Sequence, residues 1–121
     1  MNMKTIDELI SVLKVRPDIS RAGMILCHNG IVRETSRDGK PVVELDVTAD
    51  RERLESVLTA LRTRPGIVDI VADVNEGRLF PGDDIMLIAV AGDVRENVVP
   101  VLLEAIKTIK ADVTSKNEIL A

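Results

Sequence analysis

The chain has 121 residues, of which 45% are hydrophobic and 30% are charged, so we expect one domain over residues 1–121 with an aliphatic core. The net charge is −4 and Phe80 is the only aromatic residue, which argues against the basic, base-stacking surface of a nucleic-acid-binding protein. The single cysteine, Cys27, excludes an internal disulfide and favours a reducing, cytoplasmic environment. With one histidine and no paired ligand spacing, we expect neither a metal nor a cofactor.

The first predicted element is an amphipathic helix close to the N-terminus. Its apolar residues recur at helical spacing: Ile6, Leu9, Ile10 and Leu13. Thr5 and Glu8 form a Thr-x-x-Glu capping box, and Pro17 ends or follows the helix. Asp7 and Glu8 interrupt the stretch where a secretory signal would begin its apolar run, and no apolar run reaches membrane-spanning length. We therefore expect no membrane association.

Two strands are predicted next, with a turn between them. The stretch "GMILCHNGIVR" has a strand pattern in which Gly30 marks a bulge, a bend or a close backbone approach. Asp38 and Gly39 supply the turn. The following residues alternate: Val43, Leu45 and Val47 on one face, Glu44 and Asp46 on the other. This second strand is expected to be an antiparallel partner of the first.

The clearest helical pattern lies in "ADRERLESVLTALRTRPG", between a predicted N-cap at Asp50 and a stop at Pro65-Gly66. One apolar stripe runs along it: Leu54, Val57, Leu58 and Leu61. After this helix, "GIVDIVADV" predicts a strand and "EGRLFPGDD" a loop. The run "IMLIAVAG" is apolar on both faces, which predicts a central strand.

The last predicted helix has its start constrained by Pro100. Its expected apolar face consists of four residues: Val99, Leu102, Leu103 and Ile106. A cap at Asp93 would place Pro100 in the helix interior, which costs about 3 kcal/mol of stability. A cap at Asn97 would place it in the first turn, where proline is tolerated. We favour Asn97. The resulting order, α-β-β-α-β-β-α, predicts an α+β fold with helices packed on a mostly antiparallel sheet.

Cys27 and His28 are the residues that most resemble a nucleophile and its base. Neighbours on a strand point to opposite faces, so they cannot form a side-by-side pair. Cys27 fits a small core residue, and His28 fits a structural or surface residue better than a catalytic one.

Basic residues at element ends are the remaining candidates for a site. Arg33 ends a strand, Arg95 precedes the last helix, and Lys107 and Lys110 lie in its last turns with Lys116 beyond. Each arginine fits an anion-binding role, but each also has acidic neighbours to pair with. The two helix lysines are equally well explained by the helix dipole. Taken alone, these residues predict an α+β domain with at most an anion site.

Three stretches together resemble the large subunit of molybdopterin synthase. "RAGMILCHNGIVRETSRDGKPVVELDV" is similar to that family's first strand with Gly-x-Val-Arg, a polar loop and a second strand. "EGRLFPGDDIMLIAVAG" resembles its Gly-x-Leu-x-x-Gly-[Asp/Glu]-x-Ile element. "RENVVPVLLEAIKTIKADVTSKNE" resembles its final helix and basic tail. The resemblance covers residues 21–118 and leaves residues 1–20 as an N-terminal helix.

This resemblance implies an α/β-hammerhead-like fold and a role in molybdenum cofactor biosynthesis. The implied reaction moves sulfur from the thiocarboxylated Gly-Gly end of a ubiquitin-like small subunit to cyclic pyranopterin monophosphate, a pterin phosphate substrate, on a homodimer. By the same resemblance Arg33 and Arg95 bind substrate, Lys110 and Lys116 are catalytic, and Lys107 has no counterpart.

The chain departs from the family pattern at several positions. Val94 replaces a histidine, Ser115 an aromatic residue and Asn117 a basic residue, and the tail is shorter than in many members. The loss of the histidine argues for weakened or lost activity. Three hypotheses follow: a working synthase subunit; a non-catalytic relative that binds a ubiquitin-like tail or an anionic ligand; and an unrelated small-molecule-sensing domain.

Overall fold

Three α-helices and six strands alternate along residues 4–121, which the computed structural model describes. The elements, in chain order, are α1 (Ile6–Lys14), a 3₁₀ helix (Ile19–Arg21), β1 (Met24–Ile31), β2 (Val42–Ala49), α2 (Arg51–Arg62), β3 (Ile67–Val74), β4 (Gly77–Leu79), β5 (Asp84–Gly92), α3 (Arg95–Thr108), a π-helical turn (Ile109–Val113) and β6 (Thr114–Leu120). The strands form two antiparallel sheets. The predicted α+β class is confirmed. Within residues 4–121, no helix combines the length and apolar character needed to cross a bilayer.

The first sheet has the order β1-β5-β3, with the apolar strand β5 in the centre as predicted. Both faces of β5 are buried because helices cover both. Leu9 and Leu13 of α1 pack against one face, in a cluster with Leu87 of β5. On the other face, Ile88 belongs to the larger core cluster with α2 and α3, in which α3 contacts β5 and α2 contacts β3. This arrangement explains why the "IMLIAVAG" segment shows no polar alternation.

The second sheet has the order β4-β2-β6, so the predicted pairing of β2 with β1 is wrong. The loop of residues 32–41 carries the chain out of the first sheet, and an isolated bridge between Thr35 and Pro41 closes it. Strand β2 then lies between β4, which falls in the predicted loop, and β6, which falls in the tail. Neither outer strand has apolar alternation, because each is a short or exposed edge.

The register of β2 differs from the prediction at one position. A bulge between Val42 and Glu44 turns Val42 inward and leaves Val43 outside. Val42 is 5% exposed and Val43 is 47% exposed. Leu45 and Val47 are buried as predicted.

The predicted starts of the first two helices are confirmed. The Thr5 hydroxyl accepts a hydrogen bond of 3.1 Å from the backbone N–H of Glu8. The Asp50 carboxylate accepts one of 3.0 Å from the N–H of Arg53. Each cap satisfies a backbone donor that the first helical turn leaves free.

The predicted start of the last helix is wrong. Helix α3 begins at Arg95 with Val94 as its N-cap, so Pro100 lies inside the helix. The early start buries Val98 against Gly92, where an added Cβ would lie only 2.5 Å from a Val98 methyl carbon. Core packing at this close approach therefore outweighs the penalty of the proline.

The buried face of α3 also differs from the prediction. It consists of Val98, Val101, Leu102 and Ala105. Of the four residues expected there, Leu102 is buried, Ile106 is partly buried, and Val99 and Leu103 are exposed. The face is set by the sheet beneath the helix, which the helical periodicity alone does not reveal.

Candidate anion-binding site

A cleft of about 480 Å³ lies where the end of β1, the loop that follows it, the second sheet and the π-helical turn meet. Its apolar lining consists of Val32, Val42, Leu45 and Ile85. Its charged lining consists of four cations, Arg33, Arg37, Lys110 and Lys116, and two carboxylates, Asp38 and Glu118. Of the residues selected from the sequence, Arg33, Lys110 and Lys116 are thus brought together, although they are far apart in the chain.

Three different elements position the predicted cations. Arg33 directly follows β1, and its Nε donates a 2.8 Å hydrogen bond to the carbonyl of Thr35. Lys110 lies in the π-helical turn, a conformation that is rare and often found at functional sites. Lys116 is paired in register with Val47, whose side chain faces the core, so Lys116 lies on the inner face of β6.

A tight loop adds a fourth cation, Arg37, which the sequence analysis did not select. Ser36 is buried, donates to the Asp38 carboxylate and accepts a 3.0 Å hydrogen bond from the N–H of Lys40. Gly39 has φ +85, a conformation that favours glycine. The Asp-Gly turn signal was visible, but it indicates backbone shape and says nothing about where Arg37 points.

The cleft concentrates positive charge that has no partner within residues 4–121. Eight of the sixteen lysines and arginines form ion pairs within 4.0 Å. Four of the other eight line this cleft. The buried Asp69 shows the opposite arrangement, because it pairs with Arg16 at 3.0 Å and with Arg62 at 2.9 Å. The cleft therefore gathers half of the unpaired cations of residues 4–121 where an external anion could bind.

The Lys116 ammonium group has a lowered pKa. Partial loss of hydration is the main cause, although the residue as a whole stays exposed, and the positive charges of Lys110 and Arg37 lower the pKa further. The carboxylate of Glu118 opposes these effects in part. A lysine with a lowered pKa gives up its proton more readily than an ordinary lysine.

Cys27 and His28 point to opposite faces of β1, as the sequence analysis requires. Cys27 packs on the α1 side, and burial raises the pKa of its thiol. His28 lies on the other side, where burial, followed by Lys110 and Lys116, lowers the pKa of the imidazole. A thiol with a raised pKa is a poor nucleophile, so Cys27 belongs to the core rather than to the site. No group of three His, Cys, Asp or Glu suited to a metal occurs within residues 4–121.

Arg95 does not line the cleft of its own chain. It begins α3 as an exposed residue and pairs with Glu96 at 3.3 Å, while Lys110 follows the other end of the helix. At 1.5 Å per residue, the two are about 20 Å apart along the helix direction. Lys107 is exposed and lies outside the cleft, in keeping with its lack of a family counterpart.

The fold defines an α+β protein with two antiparallel sheets. Its cleft combines an apolar lining with four cations that are unpaired within the described part of the chain, so it suits an anion that has an apolar part. A family model described as MoaE protein matches residues 2–112. The chain belongs to this family, the large subunits of molybdopterin synthase, and has its place in molybdenum cofactor biosynthesis. The predicted family is confirmed, and the hypothesis of an unrelated sensing domain is wrong.

Solved structures agree with this assignment. Molybdopterin synthase from Staphylococcus aureus is 25% identical, with a TM-score of 0.73, and the match covers 84% of this chain and 77% of that one. The molybdopterin cofactor biosynthesis protein E from Burkholderia multivorans has a TM-score of 0.77 at 22% identity, and the match covers 99% of this chain and 86% of that one. A chain from a complex of subunits 1 and 2 of molybdopterin-converting factor from Helicobacter pylori matches with a TM-score of 0.73 at 16% identity, and the match covers 98% of this chain and 80% of that one. No curated protein sequence matches the chain significantly.

Proposed function

We propose that this chain is the catalytic large subunit of a molybdopterin synthase. It transfers sulfur from the thiocarboxylated Gly-Gly end of a ubiquitin-like small subunit to cyclic pyranopterin monophosphate in the cytoplasm. The observation that carries this proposal is the convergence of Arg33, Lys110 and Lys116 on one cleft, with their charges unpaired.

The cleft has the chemistry that two anionic reactants require. The planar guanidinium groups of Arg33 and Arg37 match the oxygens of a phosphate, and the apolar floor accommodates a pterin ring. Lys110 and Lys116 stabilise the negative charge of the thiocarboxylate and of the reacting centre. Lys116, whose pKa is lowered, exchanges protons with the reactants.

Arg95 enters this proposal through a homodimer. Because it lies about 20 Å along α3 from the cleft of its own chain, it reaches a site only from a second copy. The proposed assembly is therefore two large subunits, each with a cleft completed by Arg95 of the other copy. A small subunit is proposed to dock at each cleft, as the two-subunit complex from Helicobacter pylori suggests.

Val94 supports a second candidate function, that of a non-catalytic relative. It caps α3 through its backbone alone, and its side chain is 49% exposed next to Arg95. A valine here offers neither a proton nor a hydrogen bond where the resemblance expects a histidine. Such a protein would bind the Gly-Gly tail or an anion without turnover.

Reconstitution with a thiocarboxylated small subunit and the pterin precursor separates the candidates. The unmodified chain is expected to form the dithiolene, and Lys110→Ala is expected to lose at least about a hundredfold in rate, because one preorganised charge contributes about that much. Lys107→Ala is the matched control, since it removes a lysine outside the cleft. Tail binding without turnover by the unmodified chain would support the second candidate. If the unmodified chain shows no tail binding and no turnover, both candidate functions are excluded.

A further inference from the structure

The imidazole of His28 contains a buried nitrogen without a partner. The Nε2 atom is shielded from solvent and makes no hydrogen bond within the described part of the chain. About 90% or more of buried polar groups in folded proteins are satisfied, so this exception requires an explanation. The surroundings of His28 supply one.

His28 lies on the face of β1 that leads into the cleft. Alternate residues of a strand share a face, so His28 and Gly30 point the same way. Val32, just beyond the end of β1, is buried in the core cluster on that side of the sheet and also lines the cleft. Gly30 makes room for the ring, because a Cβ added there would lie 3.1 Å from Nε2. The imidazole therefore lies along the strand beside the base of the cationic cleft.

The charged groups that act on the imidazole of His28 are cations, although the carboxylates of Asp38 and Glu118 also line the cleft. Lys110 comes from the π-helical turn and Lys116 from β6, and both act on the imidazole. On β5, the residues opposite this face are Met86 and Ile88, which are uncharged. The inner face of α3 is apolar, and α1 covers the other face of the sheet. In the empty cleft the ring is therefore neutral near neutral pH.

We propose that His28, which adjoins the cleft without lining it, is linked to anion binding through its proton: it is neutral while the cleft is empty and protonated when a dianion such as phosphate or sulfate occupies the cleft. The dianion cancels the repulsion from Lys110 and Lys116, and the protonated ring then adds its own positive charge beside the bound anion. The proton comes from solvent, and no bond in the ligand is broken. This inference rests on the proposed function, because it requires an anion in that cleft.

The linkage has a definite direction. Without ligand, the pKa of His28 lies below the ordinary value of 6.5, and with a dianion bound it lies higher. Dianion binding therefore takes up a proton at pH values between the two. The affinity for a dianion rises as the pH falls through the bound pKa and levels off below the free one.

His28 is the only histidine of the chain, so a tag-free preparation gives a single Cε1–H imidazole signal in NMR. We would titrate this signal with pH in chloride and in sulfate at equal ionic strength. Sulfate serves as the probe because its charge is constant over the range, whereas phosphate titrates. The titration midpoint of His28 in sulfate is expected to lie about one pH unit above that in chloride. This shift is equivalent to sulfate binding about tenfold more tightly to the protein with His28 protonated than to the protein with His28 neutral.

Matched variants test the assignment. Lys110→Gln and Lys116→Gln are each expected to raise the midpoint in chloride, whereas Lys107→Gln leaves it unchanged. His28→Gln is expected to bind sulfate with an affinity that no longer depends on pH in this range. If backbone signals of the cleft respond to sulfate but the His28 midpoint stays fixed, the role of His28 is excluded and the anion site stands. If nothing in the cleft responds, both the inference and the proposed anion site are excluded.

Discussion

The charge of Lys116 is less stable in the folded protein than in the unfolded chain. Its folded pKa lies below the ordinary value of 10.5, so the unfolded state binds the proton more tightly. This penalty is fully present at pH values below the folded pKa and disappears as the pH rises above the unfolded one. At neutral pH, therefore, the cleft keeps its cation at the expense of stability, as binding sites commonly do.

We predict that Lys116→Gln raises the melting temperature slightly at pH 7 and abolishes sulfate binding, because it removes the disfavoured charge and the anion contact together. Thermal unfolding and anion titration would measure the two effects. Lys107→Gln is the control and is expected to change neither, since Lys107 is exposed outside the cleft. A lowered melting temperature for Lys116→Gln would show that packing of its aliphatic stem outweighs the charge penalty.

At the scale of residues, the sequence located cations where a basic residue coincides with an element end, and their roles stay predictions. Arg33, Lys110 and Lys116 were selected in this way, together with the family resemblance, and they meet in the cleft. Arg37 was missed because a turn residue has no periodicity that fixes its direction. Cys27 and His28 were predicted to lie on opposite faces of β1, and they do, but a strand pattern does not reveal what packs over either face.

At the scale of elements, the proline inside α3 gives a test of how packing overrides local preference. Pro100 removes one backbone donor and crowds the carbonyl four residues earlier. We predict that Pro100→Ala stabilises the protein by about 2 kcal/mol, less than the full helix penalty because alanine also frees the unfolded chain. Denaturant unfolding with an unchanged slope would measure this gain.

Pro81→Ala is the matched control for that prediction. Pro81 precedes Gly82, which has φ +94, so the pair forms a turn in which proline is favourable. Its replacement is expected to destabilise the protein by about 0.5 kcal/mol, the opposite sign. Equal effects from both substitutions would mean that Pro100 is not under strain in the helix.

The elements that the sequence did not predict are those that depend on a distant partner. Strand β6 has a polar sequence and forms because β2 offers it a free edge, where Lys116 pairs with Val47. Helix α3 starts early because Val98 fits over Gly92. By contrast, α1 and α2 have caps and apolar stripes within their own sequences, and both were predicted.

At the scale of the whole molecule, a chain with a net charge of −4 presents an unpaired cationic cleft. Repulsion between the acidic body and an anionic ligand is screened over about 8 Å at physiological ionic strength, whereas the cleft acts at contact distance. The remaining basic residue selected from the sequence, Arg95, lies beyond the reach of that cleft. The proposed dimer resolves this separation because each copy supplies what the other lacks.

Complementation between two inactive variants tests the proposed dimer. Arg95→Ala and Lys110→Ala chains are each expected to be inactive in the reconstituted synthase. In a mixed dimer, one cleft receives an intact Lys110 from the first chain and an intact Arg95 from the second. After random subunit exchange at equal amounts, half the dimers are mixed and each has one working site, so about a quarter of the unmodified activity is expected to return.

A mixture of Lys110→Ala and Lys116→Ala chains is the control, because both defects belong to the same cleft of one chain and every site in the mixed dimer keeps one of them. That mixture is expected to remain inactive. If activity returns in the first mixture alone, Arg95 and Lys110 act at one site from different copies. This outcome would explain why the two residues lie about 20 Å apart within one chain. If neither mixture recovers although subunit exchange is verified, Arg95 does not complete the cleft of a second copy, and its pairing with Glu96 is then sufficient to explain its presence.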